Sequence, residues 1–349
     1  MEKEDKYIIN LLMKKYNVKM LDIIGHGGYG SVYLGKLPNN SRVAIKVIII
    51  EKTNKIKIKL ITNECFLAKS FKDLHIIYTN SIRQDEYKEK GLLIFSINME
   101  YAIHGSLGIF LKYLYTKNLF KIRINTCSFN WINNSNKNLI IFFINQLIDT
   151  FKLLFISNIV HLDIKLENIL LCDGFLIKLG DFSLTRQLNS KQSKYVLANS
   201  TWCYQSSDYY TETKTVSFKN IFKIDLFAFG LIVFFLIFKQ HLFPKEHKEM
   251  MNYITCVKDI ERGREIIENY AEEKKLNNEL AIIALKLINK DIEKIPDIIE
   301  LADDEFLNKI KNDINKIKSI NQSMDKKLLF EIYKFEKKKN KRKKFTIFS

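Results

Sequence analysis

One stretch limits the folds open to this 349-residue chain more than any other: His161-Leu162-Asp163-Ile164-Lys165-Leu166-Glu167-Asn168, followed by the apolar Ile169-Leu170-Leu171. It sets an acid, a cation and a carboxamide at i, i+2 and i+5. An apolar run closes at Val160 and a strand-like run opens at Ile169, so the segment reads as a loop between buried elements. In a loop, three polar groups can converge on one point. An Asp can accept a hydroxyl proton, a Lys can neutralise phosphate charge, and an Asn can ligate a hard cation through its carbonyl oxygen. Phosphoryl transfer uses those parts, because its catalysis is mostly positioning and electrostatics. A polar turn between core elements has the same outline, so the rest of the chain decides.

Residues 17–50 alternate as strands do. Val18 to Ile24 leads into Gly25-His26-Gly27-Gly28-Tyr29-Gly30-Ser31-Val32-Tyr33; Leu34 to Leu37, a Pro38-Asn39-Asn40 turn and Arg42 to Ile50 follow. Glycines at 25, 27 and 30 let backbone N–H groups approach a phosphate with no Cβ in the way. The same spacing marks dinucleotide-binding turns, but those open a helix, whereas Ser31-Val32-Tyr33-Leu34 is β-branched, aromatic and alternating. The region from Asn54 to Lys72 reads as a helix carrying Glu64, eighteen residues after Lys46. Ile76 to Arg83 and Gly91 to Asn98 read as two strands around a charged turn, completing a five-stranded sheet. Phe110 to Tyr115 opens a helical part, the Asn-rich stretch Thr126 to Asn138 reads as an exposed insertion, and Leu139 to Ile156 returns to helical spacing.

Four further segments fall in a telling order. Val43-Ala44-Ile45-Lys46 follows the glycine turn, and Met99-Glu100-Tyr101-Ala102 precedes Gly105-Ser106-Leu107. Ile177-Lys178-Leu179-Gly180-Asp181-Phe182-Ser183 follows the polar loop, and Asp225-Leu226-Phe227-Ala228-Phe229-Gly230 opens a strongly apolar run. With the loop at 161–168, this series resembles the eukaryotic-type protein kinase superfamily, and Lys165 with Thr201 resembles its Ser/Thr class. The resemblance implies an α+β, two-lobed fold: a small five-stranded β lobe with a regulatory helix, and a larger, mostly α-helical lobe. It implies a kinase domain over 17–305, with an N-lobe of 17–101 and a C-lobe of 102–305.

On that resemblance the chain would move the γ-phosphoryl group of ATP to Ser/Thr hydroxyls of protein substrates, with ATP and Mg²⁺ as cofactors. Asp163 would orient the hydroxyl and take its proton, and Lys165 would stabilise the group in transfer. Asn168 and Asp181 would hold Mg²⁺. ATP would be bound by Ile24, Gly25, Gly27, Gly30, Val32, Ala44, Lys46, Glu64, Met99, Glu100, Ala102 and Leu170. Among these, Val32 would roof the base, Lys46 paired with Glu64 would hold the α- and β-phosphates, and Met99 would be the gatekeeper. Main-chain groups of Glu100 and Ala102 would bond adenine. Phe182 would pack under the regulatory helix, and Asp225 would brace the backbone of the 161–168 loop.

Five positions depart from the family pattern: Leu162 for Arg, Ser183 for Gly, Ser207-Asp208 for Pro-Glu, Phe227 for Trp, and Ile295 for a buried Arg. Leu162 cannot pair with a phosphorylated residue, so activity is expected to be independent of phosphorylation in the exposed, polar activation segment 184–207. Asp208 and Ile295 suggest an ion pair dismantled as a unit. Losing one partner would strand a buried charge at about 3–5 kcal/mol, whereas changing both can be nearly neutral. These departures keep a second class open, a pseudokinase scaffold that binds nucleotide or partners without phosphoryl transfer.

Composition excludes other classes. A hydrophobic content of 47% with 27% charged residues is that of a folded domain. Five Cys without a C-x-x-C fit reduced thiols better than a disulfide or zinc framework. No apolar signal region follows Met1-Glu2-Lys3-Glu4-Asp5-Lys6, and the thirteen-residue apolar run Leu226 to Phe238 is too short for a membrane span and reads as a core helix. An intracellular protein of cytoplasm or nucleus, with no membrane span, is expected. The net charge is +17, and residues 337–349 hold seven Lys/Arg and no acid. Residues 306–349 read as a basic extension, helical and then disordered. Its run Lys337 to Lys344 could meet nucleic acid or an acidic partner, although a Lys-rich composition throughout explains the same charge without one.

Overall fold

The run Arg42–Glu51 alternates between two buried faces, and this alternation organises the chain before residue 104. The computed structural model describes residues 3–27, 30–116, 134–198, 200–273 and 278–303. They form two units. The first takes the residues up to Ile103 with Leu170–Asp173 and Lys178–Ser183; the second takes His104–Ile169, Gly174–Ile177 and the residues from Leu184 onward. The expected two-lobed α+β architecture, a small antiparallel sheet unit and a larger helical one, is the one the chain adopts.

The first unit runs α1 (Lys3–Lys15), β1 (Lys19–Gly27), β2 (Gly30–Lys36), β3 (Arg42–Glu51), α2 (Lys55–Ser70), β4 (Thr79–Tyr87) and β5 (Leu92–Glu100). The strands make one antiparallel sheet in the order β1-β2-β3-β5-β4. Because side chains alternate along a strand, Val43, Ile45 and Val47 point to one face. There they pack with Tyr33, Ile94 and the α1 residues Ile8, Ile9, Leu12 and Met13. Ile48 points the other way, joining Phe95 and Ile97 and the α2 residues Ile61 and Cys65. Lys46 lies on this second face, opposite Val32 and Ile97 in the ladder.

Helix α1 has no counterpart in the expectations above, although its buried residues sit at i, i+1, i+4 and i+5, which is helical spacing. Its end is pinned by Asp85, which accepts from Tyr16 and pairs with Lys15 at 2.5 Å, while the Arg83 guanidinium lies 4.0 Å from the Tyr16 ring centroid. Asn54 caps α2 by accepting from the Lys57 N–H. Strand β4 extends to Tyr87, beyond the expected Arg83, because Gln84–Tyr87 pair with Leu92–Phe95 of β5. Polar residues carry no sign of that partner.

From His104 onward the chain runs α3 (Leu107–Thr116), α4 (Asn134–Ile156), β6 (Ile159–Val160), β7 (Ile169–Leu171), β8 (Ile177–Leu179), β9 (Arg186–Gln187), β10 (Lys194–Val196), β11 (Thr215–Ser217), α5 (Ile221–Phe238), α6 (Tyr253–Glu273), α7 (Asn278–Leu287) and α8 (Ile298–Ala302), all in the second unit except Leu170–Leu171 of β7 and Lys178–Leu179 of β8, which belong to the first. Helix α4 begins at Asn134, so the expected insertion to Asn138 is corrected at its end, and the rest of it lies outside the described residues. Helix α5 spans eighteen residues, more than the thirteen-residue apolar run. It is long and apolar enough to cross a membrane, but 89% of it is buried within the unit, as in a core helix. A methyl group on Gly230 of α5 would lie 2.7 Å from the Leu287 Cβ, so only glycine lets α7 approach so closely. The basic extension after residue 303 lies outside the described residues.

Candidate active site

In the first unit the site grows from β3. Lys46 is only 9% exposed, and an ammonium cannot be buried without partners. Its Nζ lies 2.5 Å from Glu64 Oε1 on α2 and 2.9 Å from Asp181 Oδ1. Burial alone would lower the Lys46 pKa; the two carboxylates outweigh it and move the value up, keeping the ammonium charged. Glu64 is thus the α2 residue that reaches Lys46, and the spacing of eighteen is geometric as well as sequential. Phe182 follows Asp181 into the core, its ring centroid 5.4 Å from that of Phe71 at the end of α2.

Val32, Ala44, Lys46 and Met99 share one sheet face, since Val32 stands opposite Lys46 and Ala44 opposite Met99. Ile24, Gly25 and Gly27 lie on β1, Ala102 is buried past the end of β5, and Leu170 lies against Gly180. Gly28 and Tyr29, the tip of the glycine turn, lie outside the described residues. Gly30 is constrained by its own backbone. Its φ is +153°, and a Cβ there would stand 2.4 Å from the Val47 carbonyl oxygen, so the turn can enter β2 only through glycine.

In the second unit the loop at 161–168 is held from below. Asp225, near the start of α5, accepts from the His161 N–H at 2.7 Å and the Leu162 N–H at 2.8 Å. These bonds hold Leu162 at φ +63°, unusual for a bulky residue, and so fix where Asp163 emerges. Burial pushes the Asp225 carboxyl up to about 7, against the two N–H groups, which favour the ionised form. His161 adds its ring Nδ1, which takes the Asp163 N–H at 3.3 Å.

Asp163, Lys165, Asn168 and Thr201 then converge. Lys165 Nζ lies 2.6 Å from Asp163 Oδ2 and donates to Thr201 Oγ1 at 3.1 Å. Thr201 in turn donates to Asp163 Oδ1 at 3.1 Å. Asn168 Nδ2 donates to the Asp163 carbonyl at 2.8 Å and to Oδ2 at 3.0 Å, so the oxygen of its carboxamide is the atom suited to a hard cation. Thr201 is the member that motif spacing undervalued, because it arrives from 38 residues away.

Three of the five departures from the pattern, at Leu162, Ser207-Asp208 and Ile295, have defined surroundings. Leu162 is 3% exposed, beside a small cavity of mixed lining in which Tyr204, Tyr209, Ile224 and Ala228 are joined by Asp163, Ser200 and Asp225. Asp208 accepts from Ser206 Oγ at 3.0 Å, and burial moves its pKa up. Ile295 is 1% exposed. A neutral bond ties the same regions, Ser207 Oγ to the Lys290 carbonyl at 2.8 Å. The activation segment is less exposed than its composition suggests: Leu188, Tyr195 and Leu197 are buried, and the Tyr195 hydroxyl donates to the Asn189 carbonyl at 2.6 Å.

The protein kinase domain family matches residues 18–307 of the chain. The chain is 28% identical over 244 residues to serine/threonine-protein kinase ULK3 of Xenopus laevis, covering 68% of this chain and 46% of that protein. It is 24% identical over 311 residues to the PR5-like receptor kinase of Arabidopsis thaliana, covering 83% and 42%. Over 170 residues it is 29% identical to MAP3K epsilon protein kinase 2 of the same plant, covering 48% and 11%. The chain spans less than two thirds of the length of each of these relatives. Helix α1 precedes the matched region.

Proposed function

The chain belongs to the protein kinase superfamily, and from that premise we propose an active enzyme that transfers the γ-phosphoryl group of ATP to serine and threonine hydroxyls of protein substrates. The observation that carries this reading is the convergence on Asp163. A carboxylate that orients a hydroxyl must be ionised, fixed and able to accept an alcohol O–H. Lys165 and Asn168 fix Oδ2, and the Thr201 hydroxyl already donates to Oδ1.

Each residue then has a task. Asp163 accepts the proton of the substrate hydroxyl, and Lys165, a side chain away, offsets negative charge on the group in transfer. Lys46 binds phosphate oxygens from the position in which Glu64 and Asp181 hold it. Asn168 and Asp181 offer the oxygen donors that magnesium prefers, and their side chains are therefore the proposed ligands. Bound magnesium would draw charge off the phosphates. The glycines at 25, 27 and 30 and the small Ala44 leave room for ATP, and main-chain groups of Glu100 and Ala102 meet adenine.

The scaffold reading rests on the five departures, and the placement of Leu162, Asp208 and Ile295 weighs against it. Each is accommodated locally, and none belongs to the group around Lys46 or Asp163. The buried Leu162 also supports activity without activation-segment phosphorylation. We place the substrates among proteins of the cytoplasm or nucleus. The test is phosphoamino-acid analysis of mixed protein substrates labelled by the purified chain with Mg-ATP. Phosphoserine and phosphothreonine are expected; phosphotyrosine alone would sink the Ser/Thr assignment.

A further inference from the structure

The side chains of Lys178 and Glu100 form a second, partly buried ion pair in the first unit that takes no part in the roles assigned above. Lys178 of β8 is 9% exposed, and its Nζ lies 2.7 Å from Glu100 Oε1 at the end of β5. The same oxygen accepts the Tyr78 N–H at 2.6 Å, and the Glu100 N–H donates to the Tyr78 carbonyl at 2.9 Å. One residue earlier, the Ile77 N–H donates to the Leu179 carbonyl at 3.0 Å, and the Leu179 N–H donates to the His75 carbonyl at 2.8 Å. These contacts close a ring. It runs from Glu100 through Tyr78 and Ile77 to Leu179, back one residue to Lys178, and across the ion pair to Glu100. Asp181 is two residues beyond Leu179.

The surroundings differ on the two sides: Lys178 is buried, whereas Glu100 is partly exposed and Tyr78 is exposed. Burial pushes the thiol of the neighbouring Cys172 up to about 12, with Glu100 adding to the rise and Lys178 opposing it. A partly buried ion pair is a poor source of net stability but can set register, because misalignment leaves the buried Lys178 charge unpaired.

We propose that Lys178 and Glu100 are a positioning pair: they lock the strand that delivers Asp181 to the end of β5, so that the proposed adenine-binding backbone and the proposed metal ligand hold one fixed register. Neither side chain touches the reacting atoms. The inference rests on the proposed nucleotide-binding reading and adds to it a determinant of metal-dependent affinity. Removing the cation leaves Leu179 with only its two backbone bonds, to Ile77 and His75, and takes away the side-chain tie between β8 and the end of β5.

Two measurements on the full chain test this: binding of a fluorescent adenine nucleotide with and without Mg²⁺, and hydrogen exchange at Gly180–Ser183. For Lys178→Met, the Mg²⁺-dependent gain in affinity should fall roughly tenfold or more, as for outer partners of metal ligands, while metal-free binding changes little. The 180–183 amides should exchange faster. Lys178→Arg keeps a cation and should restore both readouts. Glu100→Gln keeps an acceptor for Tyr78 and should speed exchange at Gly180–Ser183 as Lys178→Met does. If Lys178→Met alone fails to fold, the double variant Lys178→Met/Glu100→Gln, neutral on both sides, takes its place in the exchange measurement, with faster exchange at Gly180–Ser183 expected. A Lys178→Met chain that melts earlier yet keeps its Mg²⁺-dependent gain and its 180–183 protection would overturn the proposal, leaving the pair merely structural. Absence of nucleotide binding by the unaltered chain would sink the proposed function instead. The exchange measurement needs no nucleotide and still decides whether the pair holds the Asp181 segment.

Discussion

Helix α1 should be part of the folded domain although the family match begins after it. Leu12 is 6% exposed and packs in the same cluster as Val43, Ile45 and Val47 of β3. A buried Leu→Ala change costs about 2–5 kcal/mol, and a helix lying over one face of a sheet can partly collapse onto the space, so about 2–3 kcal/mol is expected for Leu12→Ala. For a domain of this size that corresponds to a drop in Tm of about 3–5 °C. Leu11, one position along and 43% exposed, is the internal control: Leu11→Ala should stay within about 0.5 kcal/mol of the parent. Deleting residues 1–17 strips four buried apolar side chains off Tyr33, Val43, Ile45 and Val47 and should leave an aggregating product. Thermal unfolding of the two point variants checks the packing. Equal melting of Leu12→Ala and Leu11→Ala, or a deletion product as stable as the full chain, would refute it.

Three other consequences can be measured. Glu64→Gln breaks a buried ion pair, a loss of about 3–5 kcal/mol that Asp181 should hold to the lower end; in thermal melts, Lys46→Met/Glu64→Leu should be the less destabilised of the two. Asp225 is protonated more readily in the folded chain, at about 7, than in the unfolded one, at about 4. Its contribution to stability is therefore complete below about pH 4 and is lost as pH rises through about 7; denaturation of Asp225→Asn from pH 5 to 8 should lack that downward slope, and an unchanged slope would assign it elsewhere. Phosphatase treatment should leave activity within about twofold, because Leu162 offers a phosphorylated segment no charge to pair with.

How much could be read in advance depended on how far each interaction reaches along the chain. The alternation of Val43 to Ile49 is local and gave β3 and the face of Lys46 directly. The polar loop was equally legible, because Asp163, Lys165 and Asn168 lie within six residues and Asp225 precedes an obviously buried helix. Strand β4 was not, because Gln84–Tyr87 become a strand only through pairing with β5. Helix α1 carried its signal in Ile8, Ile9, Leu12 and Met13, but mixed charge at its start masked it. The Lys178–Glu100 pair spans 78 residues, and neither residue differs in composition from its neighbours. Such a contact is specified by the register of two strands, and register is a property of the folded chain.

The central claim is that the chain performs phosphoryl transfer and does not only bind nucleotide. It is tested most directly by Asp163→Asn, with ATP affinity and label transfer measured on the same sample. Asn keeps the size of the side chain and one acceptor oxygen for Lys165 and Asn168 but cannot take the hydroxyl proton, so affinity should match the parent while transfer falls by roughly 10²–10⁴-fold. Label incorporation by Asp163→Asn equal to that of the parent, or none by either while both bind ATP, would contradict the account.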